Sequence, residues 1–201
     1  ANSTEANTSA VNIQSRIPDG NDYNSSWGMD LKQGYSSSAG IYRSYLKIHS
    51  LPALGMSDHI VSAKLKVTGS GYYRIQAYMV DETSLVDYSQ ITWNHQPSFD
   101  PEMLDYVSSI TDDTEEVYDE SFDVTRAAKY WYGGGINNGL YFTSAREDSY
   151  YCSLTSPRKA KLKVYYTSTN GLEDHWDYTS VPVGRAGTAH IQYLTGNLTV
   201  T

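Results

Sequence analysis

The sequence predicts an all-β fold: a two-sheet antiparallel β-sandwich of jelly-roll or Greek-key type with one short helix. Two observations predict it. Across residues 11–168, short apolar alternations are broken at near-regular intervals by clusters of Gly, Pro, Asn, Asp and Ser, and almost nothing recurs at helical spacing. Tyrosine dominates the aromatics, with 19 Tyr against 4 Trp and 3 Phe, and a flat apolar ring with a polar tip suits a half-buried sheet face. The single cysteine, Cys152, allows no internal disulfide. A chain of 201 residues is long enough to hold its fold with a hydrophobic core instead.

The elements follow in order. Residues 1–10 (ANSTEANTSA) are small and polar, too poor in apolar surface to offset ordering entropy, and are expected to form a flexible linker. Residues 11–168 form the sandwich module. Its clearest strands are 42–48 (YRSYLKI), 59–67 (HIVSAKLKV), 72–80 (YYRIQAYMV), 139–143 (GLYFT) and 160–167 (AKLKVYYT). In 59–67 the period of two puts Val61, Ala63, Leu65 and Val67 on a buried face and Ser62, Lys64 and Lys66 on a wet one. Residues 124–132 (VTRAAKYWY) read as a helix of about two turns, because Ala127, Ala128 and Trp131 share one side. Either Asp123 or Thr125 is placed to cap it, and Gly133-Gly134-Gly135 follows as the exit loop. Residues 169–201 are expected to be a linker and the first strands of a following region. There 188–194 and 198–201 are strand candidates joined by Thr195-Gly196-Asn197. The apolar face of the last strand is expected to belong to a domain that continues beyond it.

Charge and motifs narrow the function. With 15 basic against 23 acidic side chains the net charge is −8, which opposes a phosphate-tracking surface and so argues against nucleic acid as a partner. No apolar run approaches the ~18 residues of a membrane span, so no membrane insertion is expected. The first residues carry neither a basic n-region nor an apolar h-region, and a secreted parent would therefore contribute this chain as an internal fragment. No G-x-S-x-G, P-loop, H-E-x-x-H or G-x-G-x-x-G pattern occurs, which points to a binding or structural module rather than an enzyme. A glycosidase-type carboxylate pair stays open, since its separation is spatial.

Four groups of residues carry candidate chemistry. Trp93, Asn94 and His95 combine a stacking ring with amide and imidazole groups, which suits a pyranose; alternatively, Trp93 plugs the sandwich, Asn94 ties down a turn and His95 is solvated. The pairs Tyr72-Tyr73, Tyr150-Tyr151 and Tyr165-Tyr166 put one ring on each sheet face if they lie in strands. Tyr73, Tyr151 and Tyr166 are then either part of an exposed stacking platform or ordinary cross-strand pairs. Asp112, Asp113, Glu115 and Glu116, with Asp119-Glu120 after them, are dense enough to hold a structural Ca2+, or they form a solvated acidic loop. Asp19-Gly20-Asn21-Asp22 and Asp81-Glu82 with Asp87 are alternative calcium ligands. Asp123 is either a metal-binding carboxylate or a helix cap.

An ordered set of segments resembles a known family. Residues 43–52 (RSYLKIHSLP), 59–65 (HIVSAKL), 91–97 (ITWNHQP), 122–125 (FDVT) with Trp131, 138–140 (NGL) and 162–166 (LKVYY) are similar, in the same order, to the core motifs of the DNRLRE domain family. Two features depart from that pattern. Ser84-Leu85-Val86 stands where a Trp is usual, and no Pro precedes the last strand at Lys159-Ala160. The resemblance implies a β-sandwich of large bacterial secreted or cell-wall proteins, some of whose members bind carbohydrate. The tail, through Gly171-Leu172-Glu173-Asp174, Trp176, 183–188 (VGRAGT) and Gly196-Asn197-Leu198, resembles the opening of an RHS or YD-repeat region. The expectation is an extracellular or cell-wall-associated, non-catalytic module that binds a polysaccharide weakly, with neighbouring domains of the same polypeptide as its other partners. The competing expectation, from a different class, is a spacer or docking module without a ligand.

Overall fold

The computed structural model describes residues 8–23, 30–56, 58–71, 75–107, 118–148, 151–155, 160–168, 191–194 and 197–200. Eleven strands form one antiparallel hydrogen-bonded network: β1 (Thr8–Gln14), β2 (Asp22–Tyr23), β3 (Leu31–Ser36), β4 (Gly40–Ile48), β5 (Asp58–Gly71), β6 (Ile75–Met79), β7 (Asp105–Val107), β8 (Tyr118–Asp123), β9 (Leu140–Ser144), β10 (Tyr151–Thr155) and β11 (Lys161–Ser168). Among the described residues one α-helix, α1 (Thr125–Tyr132), occurs, between β8 and β9. A separate hairpin, β12 (Ile191–Leu194) with β13 (Asn197–Val200), pairs Leu194 with Asn197. All five strands expected from the alternation correspond to observed strands. The first strand starts at Thr8, inside the expected linker, with Ser9 and Ala10 already buried against β4.

The network folds over on itself into two layers. In the front layer β4 is flanked by β1 on one edge and β9 on the other, and β9 leads on to β6 and β7. In the back layer β5 pairs with β8 on one edge and with β11 and then β10 on the other. The switch between layers is β3, which pairs with β4 at Gly34–Ser36 and with β10 at Leu31–Gly34. Gly34 takes both pairings at φ 89°, a backbone that a side-chain-bearing residue would strain. Leu46 and Ile48 of β4, Ala77 and Met79 of β6 and Phe142 of β9 meet Leu65 and Val67 of β5, Phe122 of β8 and Leu162 of β11 in one core. The Phe122 and Phe142 rings lie 5.4 Å apart although their strands are not paired, so the two layers pack face to face.

Helix α1 forms as its apolar spacing predicts and buries Ala127, Ala128 and Trp131. Neither expected residue occupies the cap: Val124 is the N-cap and makes no side-chain cap bond, the Asp123 carboxylate before it accepts the Thr125 N–H at 2.9 Å, and the Thr125 hydroxyl accepts the Ala63 N–H at 2.9 Å and anchors the helix to β5.

One face assignment fails. Val61 is 58% exposed, while Ala63, Leu65 and Val67 are buried. The β5–β11 register shifts between Tyr165 and Tyr166, so Ser62 and Ile60 are paired and Val61 is left over. A bulge of this kind breaks the period of two. For the same reason Tyr165 and Tyr166 are both exposed, at 51% and 41%, instead of occupying opposite faces.

The outer face of the front layer is covered too. Val11, Ile13, Tyr45 and Tyr141 project outward from β1, β4 and β9 and pack with Val80, Tyr88 and Ile91 from the segment between β6 and β7. Asn138 holds that segment down: its side chain accepts the Val86 N–H at 3.0 Å and donates to the Glu82 and Ser84 carbonyls at 3.0 and 2.8 Å. Burial raises the pKa of Tyr45 and Tyr88 above the ordinary tyrosine value and pushes Tyr141 up to about 12. An unfolded tyrosine titrates near ~10, so the unfolded chain gives up these protons first. The stability tied to these rings is therefore intact below about pH 10 and falls as pH rises through about 12. Phenolate absorbance followed during alkaline titration should show these tyrosines ionising together with loss of the β-sheet circular dichroism signal.

Candidate functional site

The site is built on the alternation of β4. Tyr45 and Arg43 point outward, while Ser44 and Leu46 point in. Cross-strand pairing lines up one row of side chains on the outer face: Tyr23 opposite Val11, Val11 opposite Tyr45, Tyr45 opposite Tyr141, and Tyr141 opposite Tyr78. Phe99, brought beside β6 by the Val80–Phe99 bridge, ends the row. Tyr78, Phe99 and Tyr141 touch one another, with ring centroids 4.6 to 5.8 Å apart. These spacings fall within the range of favourable aromatic contacts.

Next to this row sits a polar clamp. Arg43 donates from Nε and Nη2 to the two carboxylate oxygens of Glu147, at 2.8 and 3.0 Å, and from Nη1 to Gln96 Oε1 at 3.0 Å. Such a two-pronged ion pair is directional and stronger than a neutral contact. The guanidinium carbon lies 4.7 Å from the Trp93 ring centroid, in cation–π position. The hydrogen bond to Glu147 raises the Arg43 pKa, against the opposing effect of burial. Thr143 also donates its hydroxyl to Glu147, and Gln96 donates to the Trp93 carbonyl at 2.8 Å. Burial, then the Glu147 charge, raises the Tyr78 pKa, so its hydroxyl remains a neutral donor and acceptor.

Clamp and aromatic row together enclose a shallow depression of about 360 Å³, lined by Arg43, Gln76, Tyr78, Phe99, Tyr141, Thr143, Ser144, Ala145 and Glu147. That volume is in the range of small-ligand sites, which run from ~300 to ~1,000 Å³. A larger depression of about 450 Å³ lies at the start of α1, lined by Glu102, Met103, Leu104, Asp123, Thr125, Arg126 and Lys129. Among the described residues that line it none is aromatic, and its Arg126 is engaged by Asp100 and Glu102 at 2.7 Å each. The first depression is therefore the better candidate for a ligand with both an apolar face and hydroxyls.

The sequence-predicted residues fall in several places. Trp93 is half-buried, one side against the outer-face cluster and its ring under Arg43. Asn94 donates its side chain to Asp19 at 2.8 Å and its N–H to the Pro18 carbonyl at 3.0 Å. Exposed His95 closes a turn with Thr92 through reciprocal backbone bonds of 3.2 Å. Tyr166 lies in β11 of the back layer, so it and Trp93 do not form one platform. Tyr73 and the ring of Tyr151 lie outside the described residues, as do Asp112, Asp113, Glu115 and Glu116. Asp119 and Glu120 fall in strand β8 rather than in a loop.

The other calcium candidates serve local hydrogen bonds. Asp81 Oδ1 accepts the Ser98 hydroxyl, Glu82 Oε1 accepts the Ser98 N–H, and Asp87 caps the turn Tyr88–Gln90 through the Ser89 N–H. Among the described residues no three His, Cys, Asp or Glu side chains gather as metal ligands. Burial pushes the Cys152 thiol up to about 12, leaving it an unreactive core residue.

Sequence reasoning gave no role to Glu147, Thr143, Tyr141, Tyr78 or Phe99. The parity of β4 could have singled out Arg43 and Tyr45 as outward neighbours, but nothing local links Arg43 to Glu147, which is 104 residues away. No family model matches the chain, and no curated protein does.

Proposed function

We propose that this chain is a non-catalytic β-sandwich module that binds a polysaccharide weakly, as part of a larger extracellular or cell-wall-associated bacterial protein. The observation that carries this reading is the depression in which the rings of Tyr78, Phe99 and Tyr141 lie beside Arg43, Glu147, Gln76 and Thr143. Rings of this kind can cover the C–H face of a pyranose, while the flanking amide, carboxylate and guanidinium meet its hydroxyls. An open, shallow depression suits a polymer that continues past the site. The DNRLRE-like order of motifs supports the same class by analogy alone.

The test is retention of the purified chain on gels containing alginate, chitin, cellulose or peptidoglycan. One polymer should retain the wild type, and Phe99→Ala should weaken retention about tenfold, or about 1.4 kcal/mol, while the melting temperature moves by only a few degrees. Retention that ignores Phe99→Ala but disappears in Tyr166→Ala would place the site on the back layer and remove this reading.

The spacer reading has one observation in its favour. Trp93 and Tyr166, which a single stacking platform would have to bring together, occupy different layers. A chain retained by no polymer would be assigned to that role.

A further inference from the structure

We infer that the depression selects a neutral polysaccharide, a chain of uncharged pyranoses, and rejects uronate or sulfated chains. This inference deepens the binding reading above and rests on it. Among the described residues lining the depression, Arg43 is the only cation. Both carboxylate oxygens of Glu147 already hold its guanidinium, with a third bond to Gln96 and the Trp93 ring over its carbon. The site therefore presents a compensated pair, not a positive charge.

A carboxylate arriving on a sugar would have to displace Glu147 from Arg43. It would then leave two carboxylates side by side in a partly desolvated hollow, since the Arg43 and Glu147 side chains are each only 26% exposed. The chain's net charge of −8 adds a long-range repulsion against any polyanion. A sugar hydroxyl meets no such barrier. It donates to Glu147 or to Gln76 Oε1 and accepts from the remaining guanidinium N–H groups, and the ion pair stays intact.

The experiment compares wild-type retention on neutral gels (glucan, mannan, xylan) and acidic gels (alginate, polygalacturonate) between about 0.01 and about 1 M NaCl, over which the screening length falls from ~30 to ~3 Å. The expected result is retention on a neutral gel that changes less than about twofold across the salt series, and none on the acidic gels at low salt. Glu147→Gln, checked for an unchanged circular dichroism spectrum, leaves Arg43 without its counter-charge and should acquire salt-sensitive retention on alginate. Salt-sensitive retention of the wild type on an acidic gel, lost in Phe99→Ala, would overturn the neutral selectivity and leave the binding reading standing. Retention on no gel would overturn both.

Discussion

Gly139→Ala is expected to be among the most destabilising single substitutions in the chain, at about 4 kcal/mol or more. Gly139 sits at φ +82°, where a Cβ is disfavoured by roughly 1–2 kcal/mol before any contact is counted. A Cβ there would also meet the Leu46 carbonyl oxygen at 2.5 Å, the Lys47 Cα at 2.9 Å and the Tyr88 hydroxyl. Two of those atoms are backbone of β4, which is held by β1 on one edge and β9 on the other and cannot retreat. The Gly139 carbonyl also accepts the Val80 N–H at 3.1 Å, so a shift would loosen the segment that covers the outer face. The combined loss should reach about 4 kcal/mol or more, against a typical total stability of ~5–15 kcal/mol. Gly134→Ala isolates the backbone term: φ is +95° there, but a Cβ would meet nothing within 4 Å. Denaturant unfolding should therefore show about 1 kcal/mol for Gly134→Ala and at least three times that for Gly139→Ala. Equal effects would mean that the close approach of the 139 backbone to β4 is wrong.

Phe142→Ala is expected to cost about 3–5 kcal/mol. The ring is fully buried, projects from the centre of β9 into the core and touches Phe122 from the opposite layer. The residues directly across from it, Ser44 on β4 and Ala77 on β6, carry side chains too small to close the space left behind. The urea midpoint should fall with little change in slope, because the surface exposed on unfolding is almost the same. A loss under about 1 kcal/mol would show that the two layers are not packed face to face at this ring.

Legibility in the sequence followed the range of the interactions. Strands β4, β5, β6, β9 and β11 announce themselves because their alternation is local, and α1 does because Ala127, Ala128 and Trp131 repeat at helical spacing. Strand β3 carries a glycine and a glutamine inside a six-residue run, LKQGYS, so its hydrophobic signal is thin. Its place comes from two partners far along the chain, β10 and β4. The bulge that turns Val61, Tyr165 and Tyr166 outward is a property of the β5–β11 register, which neither segment encodes alone. The site was legible only at its edge. Trp93 was singled out for its ring, yet what gives it a setting is Arg43, one strand parity away from Leu46, and Glu147 in the turn after β9. That constellation exists only once β4 and β9 are paired through Ser44 and Phe142.

The most direct test of the central claim, that the outer-face depression is where a glycan binds, is a two-dimensional amide NMR titration of the chain with a short oligosaccharide of the polymer that retains it. The shifted amides are expected to cluster at Gln76, Thr143, Ser144, Ala145 and Glu147, with the Trp93 and Gln96 side-chain resonances moving in step. Shifts gathered instead on Val61, Tyr165 and Tyr166 of the back layer, with the Arg43–Glu147 region unmoved, would contradict it.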